Sequence, residues 1–461
     1  MLEASKTAMS TDSKQDDREI TIYRGHIVSS IDEDSYLDIR DGALAVSQSG
    51  KILAVGKWAD LSKQFKAFKG AGDVSIVDCG KRLILPGLID LHIHLPQVTQ
   101  IGKSGDTLLG WLEKYIFPAE SRFNDDDHAR KIARWFFDEL ASNGTTLAVV
   151  FTTIHKNATE IAFQVAAEKG SRAIMGKVMM DRLAPASLTE DTTASVDQSK
   201  ALALKWHGYD DGRLLYAFTP RFAITATDKL LEACGKAWKE HPGTYMHTHL
   251  SESLEEVKKV AELFPSAKSY LDVYDRNGLV QNRSIFAHSI HLEDSDLETM
   301  GKAKCALAHC PSSNFFLKSG VFPVERIKNA GVEFGLGSDV AGGPQMSLFG
   351  VMKDANFIQP NIWITPCELL FRATRGGARA LHLEDQLGSL EVGKEADFII
   401  VDPSAKTAAP SDILDQGTDE ILSALVFLGD DRMIDATYVR GRPIFVRDQR
   451  KYSKETFALH V

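Results

Sequence analysis

The chain has 461 residues, of which 44% are hydrophobic and 25% charged, and a formal net charge of -10 at pH 7. This length allows one large core with an added small domain, and the negative charge disfavours nucleic acid and anionic membranes as partners. No run approaches the ~18 apolar residues of a membrane span. The five cysteines are scattered without a C-x-x-C pair, which predicts a cytoplasmic protein.

The N-terminal part of the sequence predicts a tail followed by a small β domain. Residues 1–18 are rich in Ser, Thr, Asp and Lys and lack the apolar core of a signal peptide, so we expect a disordered tail. Short alternating segments follow, separated by turn signals such as Asp41-Gly and Ser49-Gly. They predict strands at residues 19–28, 42–47, 51–55 and 74–79.

From residue 83 onward, short apolar runs alternate with longer helical patterns. The runs lie at 83–92, 145–151, 173–180, 214–218, 244–249, 284–288, 305–309 and 332–336. Between them, helices are predicted at 125–142, 158–169, 227–240 and 253–264. Eight strands that alternate with helices predict an α/β fold with a closed, TIM-type (β/α)8 barrel.

After residue 381 the short β pattern returns, at 396–401, 424–428 and 436–439. We expect these strands to pair with the N-terminal ones in one small domain beside the barrel. The predicted division is therefore a tail at 1–18, a small β domain built from 19–82 and 386–450, and a catalytic barrel at 83–385.

The ends of the predicted barrel strands carry the residues with the most chemical potential. His92 and His94 are two residues apart on a strand, so their side chains point to the same side. Later strands end in His249, His288 and Asp339. Each alone would more often be a structural polar group, but the carboxyl ends of barrel strands meet at one face. Three imidazoles and a carboxylate suit one zinc ion, with His92, His94, His249 and Asp339 as the ligands.

Longer strings strengthen this interpretation. They are PGLIDLHIHLPQ at 86–97, WLEKYIFPAE at 111–120, TPRF at 219–222, THLSE at 248–252, HCPSSN at 309–314 and GSDVAGG at 337–343. Together with the histidine and aspartate set, they resemble the amidohydrolase superfamily and, within it, the guanine deaminase branch. The metal set marks the superfamily, whereas Gln97 and the strings at 111–120 and 219–222 mark the branch.

The resemblance implies a zinc hydrolase that converts guanine to xanthine and ammonia in purine metabolism, through a metal-bound hydroxide. It also implies a homodimer. Two-metal relatives carry a lysine at the end of strand four, where this chain has Thr219-Pro-Arg, so we expect one zinc ion per chain.

The resemblance also implies roles for individual residues. Asp339 would accept the proton of the attacking water, and His288 would hold the nucleophile by a hydrogen bond. Glu252, about one helical turn after His249, would shuttle the proton, whereas His247 would be a neighbour rather than a ligand. The substrate would contact Gln97, Arg221 and Phe222.

Two alternatives stay open from the sequence. The first is a sister amidohydrolase that deaminates another amino-heterocycle, such as 8-oxoguanine, a pterin or a triazine. One departure bears on it, because the family pattern Asp-Arg-Asn-Ala-Pro is replaced by Leu at its third position, Leu183. The second alternative is a non-catalytic barrel that serves as a binding scaffold, against which the complete ligand set argues.

Overall fold

The structure is a computed structural model that describes residues 19–67, 74–103, 105, 107–405, 409–410 and 412–448. The predicted tail, at 1–18, lies outside these residues. None of the helices in the described ranges has both the length and the apolar composition needed to cross a membrane.

The strands follow the predicted rhythm along the chain. They are β1 (Ile20–Ser30), β2 (Tyr36–Ser47), β3 (Ile52–Lys57), β4 (Val74–Pro86), β5 (Leu88–His94), β6 (Thr145–Phe151), β7 (Arg172–Gly176), β8 (Val178–Met179), β9 (Leu214–Pro220), β10 (Tyr245–Leu250), β11 (Ser284–His288), β12 (Ala306–His309), β13 (Glu333–Leu336), β14 (Phe398–Val401), β15 (Ile434–Val439) and β16 (Arg442–Val446).

Helices connect most of these strands. They are α1 (Trp58–Ala67), α2 (Leu108–Trp111), α3 (Phe117–Ser121), α4 (Asp126–Ser142), α5 (Lys156–Lys169), α6 (Thr192–Trp206), α7 (Tyr209–Gly212), α8 (Asp228–Lys239), α9 (Leu254–Leu263), α10 (Tyr270–Asp275), α11 (Asp294–Ala303), α12 (Pro311–Phe316), α13 (Val324–Asn329), α14 (Leu348–Phe357), α15 (Pro366–Arg372), α16 (Arg375–Ala380) and α17 (Thr418–Leu428). A 3-10 helix (Leu95–Gln100) follows β5, and a π-helical turn (Leu112–Ile116) lies between α2 and α3.

The four helices predicted from the sequence are confirmed as α4, α5, α8 and α9, and their ends show why they begin where they do. The side chain of Asp125 accepts hydrogen bonds from two backbone N–H groups at the start of α4. Thr227 caps α8 in the same way, and Ser253 with Glu256 forms a capping box at α9. These side chains satisfy N–H groups that have no partner inside the helix.

The two ends of the chain join one mixed sheet, as predicted. Its seven strands lie in the order β16-β15-β14-β4-β1-β2-β3, so the C-terminal strands pair with the N-terminal ones through β14 and β4. Aromatic rings fill the core on one face, where Phe398 stacks on Tyr438 with ring centroids 4.4 Å apart and Tyr23 packs against Phe398 at 4.8 Å.

The second sheet is the predicted barrel. Eight parallel strands lie in the order β13-β12-β11-β10-β9-β7-β6-β5, with β8 beside β9. Backbone hydrogen bonds bring the eighth and first strands together at their carboxyl ends, since Asp339 N donates to His92 O over 2.8 Å and His94 N donates to Val340 O over 3.2 Å. The (β/α)8 class is therefore confirmed.

One predicted strand, at 83–92, is divided between the two sheets. Leu83 to Pro86 pair with β14 of the mixed sheet, whereas β5 pairs with β6 of the barrel. The chain crosses from one sheet to the other at Gly87, where a Cβ atom would lie only 2.1 Å from Oγ1 of Thr146. A continuous apolar run in the sequence indicates that the residues on both sides of the crossing are buried, but it does not indicate where the chain passes from one sheet to the other.

The predicted strand at 424–428 is wrong, because these residues form the last part of α17. Ile421, Leu422, Leu425 and Val426 are buried, and their spacing of three and four residues is that of one helix face. This face packs against α14 and α15. A five-residue apolar window does not distinguish a strand from such a helix; the distinction needs the residues that precede it.

A buried ion cluster joins the barrel to the mixed sheet and carries our first prediction. Nε of Arg172, at the start of β7, lies 2.8 Å from Asp397, and its Nη2 pairs with Glu395. Arg172→Met leaves Glu395 paired with Arg440 and the more distant Lys51, and leaves the buried Asp397 with the backbone N–H of Arg440 as donor but without its guanidinium partner. It should therefore lower the free energy of unfolding in urea by about 3 kcal/mol.

The control for this prediction is Arg134→Met. Arg134 pairs with Glu168 over 2.5 Å, but both side chains are nearly half exposed. Its loss should cost no more than about 1 kcal/mol. Equal losses in the two variants would contradict a structural role for the Arg172 cluster.

Candidate metal centre and binding cavity

Four side chains converge at the carboxyl face of the barrel. The Nε2 atom of His94 lies 3.1 Å from Nε2 of His92 and 3.2 Å from Nε2 of His249. Oδ1 of Asp339 lies 3.2 Å from Nε2 of His92 and 3.3 Å from Nε2 of His94. Ligand atoms about 2.0–2.1 Å from a tetrahedral zinc ion are separated by about 3.3 Å. The spacing of His92, His94 and Asp339 therefore fits a metal ion, and His249 adds a fourth donor beside His94.

The protonation of the cluster also suits a cation. Burial lowers the pKa of His92 and of His249, and it lowers the pKa of His94 to about 3, so the imidazoles are neutral. Burial alone would raise the pKa of Asp339, but hydrogen bonds from His92 and His94, together with the charge of His288, hold it well below its ordinary value. Neutral imidazole and ionised carboxylate are the forms that bind metal.

Outer contacts orient two of the imidazoles. Nδ1 of His249 donates a hydrogen bond to the carbonyl oxygen of Arg221 over 2.8 Å, which leaves the lone pair of its Nε2 free for a metal. Nδ1 of His92 lies 2.8 Å from Nε2 of His247. His247 thus contacts a predicted ligand from behind.

Asp90, in the middle of β5, ties the floor of the site together. Its buried carboxylate accepts hydrogen bonds from the backbone N of His92 over 3.1 Å, from the backbone N of Ser338 over 3.0 Å and from Oγ of Ser338 over 2.5 Å. Burial raises its pKa to about 7. These bonds link the first and eighth strands next to the predicted ligands.

His288 and Glu252 lie beside the cluster. Nε2 of His288 is 3.6 Å from Asp339 and 3.5 Å from Glu252, while its Nδ1 donates to Oδ1 of Asn314 over 2.9 Å. Burial opposes the charge of His288, but Glu252 and Asp339 raise its pKa above the ordinary value. Burial also raises the pKa of Glu252 to about 7, and Ser319 donates to its Oε1 over 3.3 Å. A carboxyl with such a pKa can take up and release a proton near neutrality.

The predicted spacing of one helical turn between His249 and Glu252 had implied a helix at Glu252. In the structure Glu252 is not on a helix. It lies in the short link between β10 and α9, where Ser251 has a left-handed φ of +50°. Its backbone N–H donates to Oε2 of Glu256 over 2.8 Å. The turn at Ser251 and this bond hold Glu252 over the cavity.

Two of the predicted catalytic residues have backbones that non-glycine residues adopt rarely. His288 has a φ of +67° and Asp339 a φ of +48°. Such residues persist where neighbouring bonds determine the conformation, and they concentrate at functional sites. Here the bond from Asp339 N to His92 O supplies part of that support.

A cavity opens above the cluster, with about 370 Å³ of empty space when its open mouth is included. The predicted catalytic and ligand residues other than His92 line one part of it, and His92 lies beneath them, fully buried. The predicted substrate contacts, Gln97, Arg221 and Phe222, line another part. Four apolar side chains complete the lining: Leu108, Trp111, Leu112 and Leu317.

Glu120, the last residue of the string at 111–120, was not among the predicted site residues. Its carboxylate oxygens lie 2.7 and 2.8 Å from Nη1 of Arg221, and Oε1 also accepts from Nε2 of Gln97 over 3.1 Å. Glu120 is 1% exposed. The sequence signal that could have indicated a role for Glu120 is its position as a charged residue at the end of the apolar string 116–120.

Leu183, where the family pattern is broken, lies away from the cavity. It is 57% exposed, and it is not among the residues that line the cavity. Its φ of +46° is in the left-handed region, which Asn tolerates better than Leu. The departure therefore places Leu in a backbone conformation that Asn tolerates better, at an exposed position outside the cavity lining.

Comparison with known proteins agrees with this architecture. Residues 83–444 match the model of the Amidohydrolase family. Guanine deaminase of Escherichia coli (strain K12) is 37% identical over 416 residues, which cover 89% of this chain and 92% of that protein.

Two solved structures share the fold over nearly the whole chain. Guanine deaminase from C. acetobutylicum, crystallised with guanine in its active site, has a TM-score of 0.85 and 30% identity, covering 92% of this chain and 100% of that one. An adenosine deaminase from Xanthomonas campestris with bound zinc has a TM-score of 0.81 and 25% identity, covering 94% of each chain. Since these matches span most of the sequence, the chain belongs to the amidohydrolase family, in its guanine deaminase branch.

Proposed function

We propose that the protein hydrolyses guanine to xanthine and ammonia, as a zinc enzyme of purine metabolism. The observation that carries this proposal is that Arg221 and Gln97 line the same small cavity as the histidine and aspartate cluster.

The proposed cofactor is one zinc ion per chain, held by His92, His94, His249 and Asp339. This proposal is supported by the grouping of His92, His94 and Asp339, whose ligand atoms lie within 4.8 Å of one another, and by the Nε2 of His249, which lies 3.2 Å from that of His94. Zinc bound there would supply a nucleophile at neutral pH by lowering the pKa of a water molecule to about 7.

The chain's own carboxylates would move the protons. Asp339 would accept the proton of the attacking water, and Nε2 of His288 would hold that water in line with C2 of the base. Glu252, 3.5 Å from His288, would carry a proton to a ring nitrogen and then to the departing amine. The products balance, since one water molecule replaces the amino group with an oxygen and ammonia leaves.

Arg221, Gln97 and Phe222 would recognise the base. A guanidinium has only donors, which match the O6 acceptor of guanine, and an amide offers both a donor and an acceptor for the ring edge. Phe222 is 4% exposed and lines the cavity next to Arg221, where it can cover a face of the base.

We predict that ammonia release will be at least about 10-fold to 100-fold faster, as kcat/KM, from guanine than from adenine. Adenine places an amino group where O6 lies, so donor would face donor at Arg221, and an unsatisfied buried group costs about 1–3 kcal/mol. Adenine also lacks an amine at C2. The measurement is the initial rate of ammonia release from guanine, adenine, 8-oxoguanine, a pterin and a triazine, each with metal-loaded protein.

The same panel tests the alternatives. A clear preference for 8-oxoguanine, the pterin or the triazine would move the assignment to a sister enzyme. No release from any substrate by zinc-loaded protein would favour the scaffold interpretation.

We also propose that the enzyme is a cytoplasmic homodimer. The dimer rests on the resemblance to its family and is tested by light scattering of the purified chain. The location is supported by the cysteines, since all five are free and four of them are buried, in keeping with a reducing compartment.

A further inference from the structure

We propose that Glu120 is a positioning residue that neutralises Arg221 and aims Arg221 and Gln97 at the base, so that the cavity selects a neutral oxopurine over an anionic one. The inference rests on the proposed function, because it assumes that a purine base occupies this cavity. Glu120 does not line the cavity, so it would act through the two residues that do.

The contact between Glu120 and Arg221 fixes the direction of the guanidinium. Both carboxylate oxygens lie within 2.8 Å of the same atom, Nη1, and the Arg221 side chain is 3% exposed. The ring of Phe117, also on α3, lies 5.6 Å from Cζ of Arg221. Two residues of α3, Glu120 and Phe117, thus contact the guanidinium. The contacts with Glu120 do not use Nη2, which leaves that nitrogen for a ligand.

The contact with Gln97 fixes the direction of the amide. Nε2 of Gln97 donates to Oε1 of Glu120 over 3.1 Å, and Oε1 of Gln97 accepts from the backbone N of Ala341 over 3.3 Å. The carboxylate can only accept and the backbone N–H can only donate, so the amide has one orientation. Its second N–H and its second lone pair stay available for the edge of a base.

The charge of Glu120 decides which form of a base the cavity favours. An unpaired guanidinium buried beside the cavity would attract an anion strongly, because charge-assisted bonds are stronger in a poorly solvated site. The Glu120 pair cancels this charge and leaves donors that suit a neutral carbonyl. Removing the carboxylate would therefore weaken the binding of a neutral base and favour the binding of its anion.

The test uses hypoxanthine and xanthine, which both carry O6 and both lack an amine for the reaction to remove. Their affinities for zinc-loaded protein are measured by calorimetry at a pH where free xanthine has lost a proton and hypoxanthine has not. Glu120→Gln should lower the hypoxanthine affinity at least about tenfold while the affinity for the xanthine anion is kept or raised. Equal weakening of both ligands, or no change in either, would overturn the proposal.

Steady-state kinetics with guanine give a second readout. Because orientation of the base is needed in both ground and transition states, Glu120→Gln should raise KM at least about tenfold and change kcat by no more than about threefold. A fall in kcat at unchanged KM would count against a positioning role. Ammonia release by the native protein tests the proposed function separately, since the binding ratio requires no turnover.

Glu190→Gln is the matched control. Glu190 is also mostly buried and pairs with a buried cation, Lys177, over 2.6 Å, but it contacts neither Gln97 nor Arg221. It should leave the ratio of hypoxanthine to xanthine affinity unchanged. The same shift in the control as in Glu120→Gln would overturn the assignment to Glu120.

Glu120→Asp keeps the inference testable if Glu120→Gln does not fold. It retains the charge but withdraws the carboxylate by one methylene, so it should preserve the native preference for hypoxanthine over the xanthine anion while binding hypoxanthine more weakly. Hypoxanthine affinity equal to that of the native protein, or a reversed preference, would overturn the proposal.

Discussion

Replacing Glu252 with glutamine should lower kcat for guanine by about 100-fold to 10,000-fold, while zinc content and hypoxanthine affinity stay close to native. Glutamine has the shape of glutamate and can still accept the hydrogen bond that Ser319 donates over 3.3 Å. It cannot take up a proton. The variant therefore removes proton transfer and little else.

The surroundings of Glu252 explain why so large an effect is expected. Burial raises its pKa to about 7, so the proton is held neither too tightly nor too weakly for transfer at neutral pH. Its carboxylate lies 3.5 Å from His288, which in turn lies 3.6 Å from Asp339. In the proposed mechanism, the three groups would form a short path from the predicted nucleophile to the base.

Single-turnover rates and elemental analysis of Glu252→Gln check this role. A decrease of less than about tenfold in kcat would remove Glu252 from proton transfer, because general acid and base groups contribute about 100-fold or more. Loss of zinc from the variant would point instead to a structural effect on the cluster.

The barrel could be predicted because its strands are short, fully apolar runs separated by amphipathic helices. The limits of β6 and β11, for example, match the apolar runs at 145–151 and 284–288. The crossing at Gly87 was missed because leucine and isoleucine residues lie directly on both sides of it, although the Pro86-Gly87 dipeptide is a turn signal. The helix α17 was missed because its apolar face fills the window 424–428 almost completely.

The candidate site was predictable in its donors but not in their surroundings. Residue type and position at a strand end are written in the sequence, and they indicated the cluster around His94. The pairing of Glu120 with Arg221 joins positions 101 residues apart, and only the closed barrel brings them together. The tautomer of His249 likewise depends on the carbonyl oxygen of Arg221, which no local pattern specifies.

Removal of metal with a chelator should abolish guanine deamination, and one equivalent of zinc per chain should restore it. The donor set is buried and contains neutral imidazoles whose Nε2 atoms lie 3.1 and 3.2 Å apart, an arrangement that suits a cation between them. The measurements are elemental analysis and ammonia release before stripping, after stripping and after zinc is returned.

His94→Ala should likewise lose both zinc and activity, because it removes the imidazole that lies nearest to three other donors. The matched control is His309→Phe. His309 is buried at the end of strand β12, and its ring stacks on that of Phe322 with centroids 4.2 Å apart. Neither of its ring nitrogens has a hydrogen-bond partner among the described residues. The control should keep one zinc ion per chain.

The count of one zinc ion rests on the weakness of the neighbouring donor group. His288, Cys310 and Asp339 also place ligand atoms within 4.8 Å of one another, but Asp339 is shared with the first cluster. Burial raises the pKa of the Cys310 thiol well above its ordinary value, whereas a metal binds the thiolate. Binding of a second ion would therefore require ionisation of the buried Cys310 thiol, and both ions would have to share the Asp339 carboxylate. Two metals per chain, or full activity in the stripped protein, would contradict the mononuclear assignment.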